Sequence, residues 1–433
     1  MANNHPAPKL PRKEPRREDD RVLTLGCRLN IAESEMIAAH LRACHHRADD
    51  RPIAVVNTCA VTRQAERQAR QSIRRLHRDN PDMRIVVTGC AAQIDAASWQ
   101  DLPGVWTTIA NDRKTQAATW ARLLEGKIPT ARTPRRAADA RTRASVQIQN
   151  GCDHRCTFCI IPAGRGPARS RPVRDIISEV YDLADQGVAE IVFTGVDLTS
   201  YGQDLPGTPR LGQLVGRCLR EVPHLPRLRL SSLDPAAIDE HLWDVLAREP
   251  RLMPHWHLSM QAGEDLTLKR MKRRHRQTDL VALVARARRV RPKIVFGADL
   301  IAGFPTETDA MFAQTAKLVR DLGLVFLHVF PYSPRPGTPA ARMPQVPPQI
   351  VKQRAQTLRT LGEVALGAHL RSKDDTHEQV LVETPKTARA PDFTPVRLMA
   401  PAIPGTLIRV RLQAGQDHAL VATATTAATT QEV

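Results

Sequence analysis

Aromatic residues are scarce in this chain of 433 residues: Phe, Trp and Tyr together make up 4% of it. Long apolar stretches are lacking as well, since no run approaches the roughly 20 apolar residues that a transmembrane helix needs. We therefore expect no membrane-spanning segment. Residues 1–20 are rich in Pro, Lys and Arg and have no apolar stretch, so they are predicted to be a disordered basic tail rather than a secretory signal.

Acidic residues are the second deficit. The chain has 63 Lys and Arg against 45 Asp and Glu, which gives a formal net charge of +18. An excess of this size points to a polyanionic partner, and nucleic acid is the expected one. The alternative is an organism whose proteins use arginine throughout, because charge alone does not decide function.

Cysteine is present, but not in the spacing of a secreted disulfide framework. The eight cysteines are partly clustered, which in a long chain favours metal binding in a reducing cytoplasm. The densest cluster is Cys152, Cys156 and Cys159, with the spacing C-x3-C-x2-C. Thiolates ligate iron–sulfur clusters, and three ligands for a four-iron cubane leave one iron open. A zinc site is the alternative, although structural zinc sites usually close with four ligands in spaced pairs.

Three further cysteines share one position relative to predicted buried strands. Cys27 follows the strand predicted at 22–25, Cys59 follows 53–57, and Cys90 follows 85–88. Helical patterns at 31–43 and 63–79 alternate with these strands, which predicts a parallel α/β domain over residues 21–128. Because parallel strands end at one edge of a sheet, we expect the three thiols to converge on a second cluster with an open iron. Cys44 and Cys218 lie in helical patterns and are interpreted as packing residues.

Two basic segments are candidates for contact with a nucleic-acid backbone. The helix predicted at 63–79 has arginines at helical spacing on one face: Arg63, Arg67, Arg70, Arg74 and Arg78. A dense block also spans residues 269–276: Lys269, Arg270, Lys272, Arg273, Arg274 and Arg276. Solvated helix faces are the alternative for both segments.

The rest of the chain is predicted to contain a linker and two domains. Residues 129–144 are basic without apolar periodicity and are interpreted as the linker. Residues 145–370 contain six strand patterns separated by helical stretches, which is fewer than the eight β/α units of a closed barrel. An open, partial barrel is therefore predicted, with chemistry at the C-terminal ends of its strands. Residues 371–427 alternate with a period of two, which predicts a small all-β module, and 428–433 form a tail.

Together these motifs resemble the radical S-adenosylmethionine (SAM) methylthiotransferase family over nearly the whole chain. The resemblance rests on Gly26–Asn30, Asn57–Thr62, Thr88–Gln93 and Gly151–Pro162. It implies an α/β fold: an N-terminal methylthiotransferase domain, a (β/α)6 radical-SAM barrel and a C-terminal TRAM-like module that binds RNA. It also implies SAM and two 4Fe–4S clusters as cofactors. Cys152, Cys156 and Cys159 would hold one cluster, and Cys27, Cys59 and Cys90 the other, from which sulfur would be delivered.

The same resemblance implies a set of SAM contacts. Phe158 would pack near the adenine, with Gly303 beside it, and Thr194 and Gly195 would face the amino group. Ser232 and Gln261 could bond the carboxylate or the ribose. Core packing or turn formation is the alternative for each. His255 and His257 could ligate a metal, but a hydrogen-bonded core pair is the favoured interpretation.

The segment Gly26-Cys27-Arg28-Leu29-Asn30 resembles the branch of the family that acts on N6-threonylcarbamoyladenosine at position 37 of tRNA. The resemblance therefore implies a tRNA (N6-threonylcarbamoyladenosine(37)-C2)-methylthiotransferase in the cytoplasm. The expected partners are a tRNA anticodon stem-loop, an electron donor such as a flavodoxin or ferredoxin, and a sulfur source. Three alternatives stay open: isopentenyladenosine in tRNA as the substrate, a ribosomal-protein aspartate as the substrate, and a non-catalytic iron–sulfur RNA-binding regulator.

Overall fold

The computed structural model describes residues 20–44, 51–125, 142–415 and 419–424. These residues form two compact units. The first unit is built from the described residues before 126, without Cys27–Ala32 and Ala60–Arg63. The second unit is built from the described residues after 141 together with those two short segments. Residues 1–19 of the predicted tail at 1–20, nearly all of the predicted linker at 129–144, and the tail at 428–433 lie outside the described residues.

The first unit contains a four-stranded parallel sheet in the order β1-β2-β3-β4. Its strands are β1 (Arg21–Thr24), β2 (Ile53–Thr58), β3 (Arg84–Gly89) and β4 (Val105–Thr108). Its helices are α1 (Arg28–Ala43), α2 (Arg63–Asp79), α3 (Cys90–Ile94), α4 (Ala96–Gln100) and α5 (Ala117–Leu123). Every residue of β2 is buried, as the Val- and Ile-rich centre of a parallel sheet requires. The short strand β4 is not among the predicted strands.

The second unit begins with the partial barrel. Its strands are β5 (Arg143–Gln147), β6 (Gln149–Asn150), β7 (Arg169–Ser170), β8 (Glu190–Thr194), β9 (Arg227–Leu230), β10 (Ser232–Leu233), β11 (His255–Gln261), β12 (Val295–Ala302) and β13 (Phe326–Pro331). The short strands β6 and β7 form a separate antiparallel pair. The wall runs β5-β8-β9 and then, after a break at Ser231, β10-β11-β12-β13, with all pairs parallel. The predicted six-unit partial barrel is confirmed, with β9 and β10 together supplying its third strand.

Helices cover one face of this wall: α6 (Ile161–Arg165), α7 (Val173–Asp185), α8 (Leu211–Glu221), α9 (Glu240–Arg248), α10 (Asp265–Arg270), α11 (Gln277–Val290), α12 (Asp309–Asp321) and α13 (Pro348–Ser372). Val146, Phe193, Leu230 and Trp256 belong to the apolar core of this unit. Because side chains alternate along a strand, Arg143, Glu190, Arg229 and His255 lie on the opposite face, the interior of the partial barrel. That interior is therefore polar.

The chain ends in a closed five-stranded barrel in the order β14-β15-β16-β18-β17. Its strands are β14 (His377–Thr384), β15 (Thr387–Arg389), β16 (Pro395–Leu398), β17 (Leu407–Ala414) and β18 (Leu420–Ala424). Val380, Val382, Val410 and Leu412 alternate into its core. The predicted small all-β module is confirmed, and β15 is the strand that the period-two pattern missed. Among the described residues, no helix has the length and apolarity needed to cross a bilayer.

Candidate functional site

The loop that carries Cys152, Cys156 and Cys159 is anchored at both ends. Gly151 has a φ of 71°, and a Cβ there would lie 1.8 Å from the carbonyl oxygen of Pro167, so only glycine fits. The amide of Cys152 donates to the carbonyl of Gly166 at 3.1 Å. Further along, the hydroxyl of Thr157 donates to the carbonyl of Arg270 at 2.8 Å. The loop therefore has one fixed path after β5 and β6, at the C-terminal end of the barrel's first strand.

N–H donors lie close to two of the three thiols of this loop, and burial raises the pKa of two of them. The amide of His154 lies 3.4 Å from Sγ of Cys152, and Nη1 of Arg273 lies 3.5 Å from Sγ of Cys156. Burial raises the pKa of Cys152 to about 11 and that of Cys159 to about 12. Thiolates in this loop thus need a compensating cation, which iron supplies. Three sulfur donors on one anchored loop, two of them with hydrogen-bond donors, fit a 4Fe–4S cluster with one open iron.

The structure contradicts part of the predicted nucleic-acid contact of the basic block at 269–276, and Arg273 is the clearest case. Its side chain is only 7% exposed, pairs with Asp234 at 3.3 Å, and donates to the carbonyl of Ser259 at 2.7 Å. Arg270 likewise bonds the carbonyl of Thr306. These two arginines are therefore part of the site's framework and are not available to a tRNA backbone. Lys269, Lys272, Arg274 and Arg276 are exposed.

The predicted residues Thr194 and Gly195 lie where β8 ends, beside the cysteine loop. Gln149 connects the two segments: its Oε1 accepts the amides of Val196 and Asp197 at 3.0 and 2.9 Å, and its Nε2 donates to the carbonyl of Gly151 at 2.8 Å. A Cβ on Gly195 would lie 3.0 Å from the carbonyl oxygen of Gln149. Gly195 therefore allows the close approach of the two segments.

Asp197 and His154 form a close side-chain pair that the motifs did not reveal. Asp197 lies 2.7 Å from Nε2 of His154 and accepts from the hydroxyl of Thr199 at 2.8 Å. Burial alone would raise the pKa of Asp197, but the hydrogen bonds from His154, Ser200 and Thr199 lower it to about 2. His154 stands inside the loop, between two of the cysteines. The pair thus places a carboxylate next to Cys152.

The other predicted SAM contacts lie at three places around the barrel. Phe158 packs edge-on against Phe304, with 6.5 Å between ring centroids. Ser232 begins β10, and Gln261 ends β11 with a φ of 70°. The amide of Gly303 donates to Glu307 at 3.0 Å. Phe158 lies within the cysteine loop itself, and the other three residues follow or end barrel strands. The hydrogen bonds of Gln149 connect that loop to Val196 and Asp197, which directly follow Thr194 and Gly195.

Cys59 and Cys90 follow neighbouring strands of the first unit. Thr58 and Gly89, the residues that precede them, are directly paired between β2 and β3. Gly89 has a φ of 101°, and a Cβ there would lie 2.3 Å from the carbonyl oxygen of Thr58. Nδ2 of Asn111 lies 3.6 Å from Sγ of Cys90. The structure therefore brings the two segments that carry Cys59 and Cys90 together, and the convergence of all three thiols on one cluster stays a prediction.

Cys27 stands three residues beyond Thr24, which pairs with Asn57 of β2. The segment that begins at Cys27 is attached to the cysteine loop of the second unit. Arg165 donates to Oδ1 of Asn30 at 2.6 Å and to Oδ1 of Asn150 at 2.8 Å. Arg165 follows the loop and Asn150 precedes it, so one guanidinium group connects both to the residues after Cys27.

The histidine pair on β11 differs from the favoured interpretation. His257 bonds Oδ1 of Asp299 at 3.0 Å, and His328 approaches the same oxygen at 3.3 Å. His255 is buried, but neither of its ring nitrogens has a hydrogen-bond partner among the described residues. The pair is therefore not a satisfied core pair. Cys44 and Cys218 lie in apolar cores, as packing residues do.

Two family models match the chain. The Radical SAM superfamily model covers residues 146–319, and the model of uncharacterized protein family UPF0004 covers residues 21–109. The threonylcarbamoyladenosine tRNA methylthiotransferase MtaB of Rickettsia prowazekii is 45% identical over 87% of this chain and 90% of its own. The chain belongs to the radical-SAM methylthiotransferase family. SAM and two 4Fe–4S clusters are accordingly the cofactors of this methylthiotransferase.

Other relatives carry two different substrate names. The threonylcarbamoyladenosine tRNA methylthiotransferase MtaB of Bacillus subtilis is 36% identical over 78% of this chain and 79% of its own. A tRNA-2-methylthio-N(6)-dimethylallyladenosine synthase of Acidothermus cellulolyticus is 34% identical over 96% of this chain and 89% of its own. Membership of the methylthiotransferase family is therefore shown by relatives with either name.

Proposed function

We propose that this methylthiotransferase converts N6-threonylcarbamoyladenosine at position 37 of tRNA to its 2-methylthio derivative. The observation that carries the proposal is the 45% identity to a relative named for that substrate, against 34% for a relative named for dimethylallyladenosine. The segment Gly26–Asn30, which contains Arg28, supports the same branch.

The six cysteines have two roles in this proposal. Cys152, Cys156 and Cys159 would hold the cluster that binds SAM, while Cys27, Cys59 and Cys90 would hold the auxiliary cluster. When bound, SAM and the two clusters supply one-electron chemistry that breaks an unactivated C–H bond, such as C2–H of adenine, together with the sulfur and the methyl group. General acid–base catalysis does not suffice at such a bond.

The protein's own residues would position these groups. Gln149 fixes the loop that holds Thr194 and Gly195 against the cysteine loop, and Arg273 donates a hydrogen bond to Cys156. Exposed arginines on α2, among them Arg67 and Arg74, would contact phosphates of the anticodon stem-loop. An electron donor such as a flavodoxin or ferredoxin and a sulfur source complete the reaction, which we place in the cytoplasm with its tRNA substrate.

The test is a nucleoside mass assay. Anaerobically reconstituted protein is incubated with SAM, a reductant, and tRNA carrying either threonylcarbamoyladenosine or isopentenyladenosine. A methylthio mass gain on the threonylcarbamoyl nucleoside alone is the expected result. A gain only on the isopentenyl nucleoside would reassign the substrate, and SAM cleavage with no gain on either would point to a ribosomal protein. No SAM cleavage at all would indicate a non-catalytic iron–sulfur protein.

A further inference from the structure

Four guanidinium groups surround one phenyl ring on the interior face of the partial barrel. The ring is that of Phe393, in the segment between β15 and β16. Its centre lies within 6 Å of four Cζ atoms: those of Arg28 (5.3 Å), Arg143 (5.7 Å), Arg229 (5.0 Å) and Arg389 (4.6 Å). His255 stacks on the same ring, with 5.2 Å between centroids. We call these six residues the Phe393 cluster.

Carboxylates compensate only part of the charge of the Phe393 cluster. Glu190 pairs with Arg143 and Arg229, at 2.5 and 2.8 Å. Glu383 pairs with Arg143 and Arg389, at 2.7 and 3.1 Å. In the part of the chain that the structure describes, no carboxylate forms an ion pair with Arg28. Two carboxylates thus face four guanidinium groups, and burying uncompensated charge is costly unless an anion joins it.

The Phe393 cluster also contains buried polar atoms that lack partners. Nη2 of Arg143, Nη1 of Arg229 and both ring nitrogens of His255 have no hydrogen-bond partner among the described residues. The side chain of Arg229 is 0% exposed, and His255 is 2% exposed. Buried polar groups of this kind are normally satisfied. A carboxylate matches the planar fork of a guanidinium group and would satisfy several of these donors at once.

The position of Arg28 connects this cluster to the proposed chemistry. Arg28 follows Cys27 directly, and two residues later Asn30 is bonded to Arg165, which also bonds Asn150 just before the cysteine loop. A ligand that reaches Arg28 therefore lies close to the proposed cluster ligands. Of the two candidate tRNA substituents, the threonylcarbamoyl group ends in a carboxylate, whereas the isopentenyl group carries no charge.

We propose that the Phe393 cluster binds the carboxylate of the threonyl group on the target adenosine, with Arg28 as the residue that selects for its charge. This inference rests on the proposed function. The alternative is a purely structural role, in which the cluster only holds the small barrel against the partial barrel through contacts such as that of Arg229 with the carbonyl of Pro391.

The test measures RNA binding without turnover. Reconstituted protein with SAM but no reductant is titrated with labelled anticodon stem-loops that carry threonylcarbamoyladenosine, its methyl ester, or unmodified adenosine at position 37. We expect the free acid to bind at least about tenfold more tightly than the ester or adenosine, because a hydrogen bond to a charged group contributes that much. The R28Q variant should lose this preference and keep its affinity for the unmodified stem-loop, and R28K should retain part of the preference.

The matched control is R217Q. Arg217 is an exposed arginine on α8 that pairs with Glu221, so its loss should leave the preference intact. Equal binding of acid and ester by the wild type, or an unchanged preference in R28Q, would overturn the inference. The nucleoside mass assay distinguishes a failure of the carboxylate site from a failure of the proposed function. Methylthiolation of threonylcarbamoyladenosine together with an unchanged R28Q preference would reject the carboxylate site alone, whereas methylthiolation of isopentenyladenosine alone would reject the proposed function and the inference with it.

Discussion

Arg273 donates a hydrogen bond from Nη1 to Sγ of Cys156 across 3.5 Å, although 117 positions separate the two residues. A cationic donor at a ligand sulfur stabilises the more negative, reduced form of an iron–sulfur cluster. We expect R273Q to lower the reduction potential of the cluster at Cys152, Cys156 and Cys159. A change of about 1.4 kcal/mol in this interaction corresponds to about 60 mV. Redox titration followed by electron paramagnetic resonance measures the shift.

Arg274 provides the control for this substitution. It pairs with the same Asp234 at 3.2 Å, but its side chain is 43% exposed. R274Q should therefore leave the potential unchanged while removing a similar ion pair. Equal shifts in R273Q and R274Q would show that the loss of the Asp234 pairing, not the hydrogen bond to sulfur, changes the potential.

Iron content tests the division of the cysteines into two sets. Reconstituted wild-type protein should contain about eight irons per chain. Serine at Cys152, Cys156 and Cys159 together should reduce this to about four, and serine at Cys27, Cys59 and Cys90 should also leave about four. Alanine at Cys44 or Cys218, which lie in apolar cores, should leave the iron content unchanged. A loss of all iron from either triple variant would contradict two independent clusters.

Glu190 links acid stability to the interior of the partial barrel. Burial alone would raise the pKa of Glu190, but Arg229 and Arg143 lower it to about 2, from 4.5 in an unstructured chain. A carboxylate with a lowered pKa stabilises the fold above its unfolded-state pKa. This contribution is complete above about pH 4.5 and is lost as the pH falls towards 2.

The variant E190Q should reduce the free energy of unfolding by about 3–5 kcal/mol at pH 7, because it removes the carboxylate partner of the buried Arg229 and leaves Arg143 with Glu383 alone. Urea denaturation at pH 7 and pH 4 measures the free energy of unfolding. The difference in this free energy between wild type and variant should be smaller at pH 4. The control E221Q changes an exposed residue of α8 and should stay within about 0.5 kcal/mol of wild type. A difference in the free energy of unfolding that is the same at both pH values would show that the ion pairs of Glu190 do not cause it.

The strands and the cysteine motif could be predicted from the sequence because their signals are local. Apolar runs such as Ile53–Thr58 form buried parallel strands in most contexts, and C-x3-C-x2-C places three thiols on one loop whatever surrounds it. The strands β4 and β15 were missed because they are short and lack a clear period. Arg273 at Cys156, and Gln149 between two loops, left no local pattern at all, since their roles depend on contacts between segments far apart in sequence.

The row of five arginines on α2 shows the same limit of prediction from local sequence. Four of its five members are exposed, but Arg70 packs over the ring of Trp99 at 4.3 Å and donates to the carbonyl of Ser98 at 3.1 Å. Helical periodicity places all five on one face and cannot tell which of them a neighbouring helix will cover. The expected RNA contacts therefore exclude Arg70.

Charge reversal on α2 tests the remaining exposed arginines. The double variant R67E/R74E should weaken tRNA binding, and the slope of log affinity against log salt concentration should fall by about two, since two phosphate contacts are lost. Fluorescence anisotropy at several salt concentrations measures both quantities. The variant R70A should instead leave the salt slope unchanged and lower the free energy of unfolding by about 1 kcal/mol, through the lost contacts with Trp99 and Ser98. An unaltered slope in R67E/R74E would show that this face is simply solvated, and that the phosphate contacts lie on another surface of the chain.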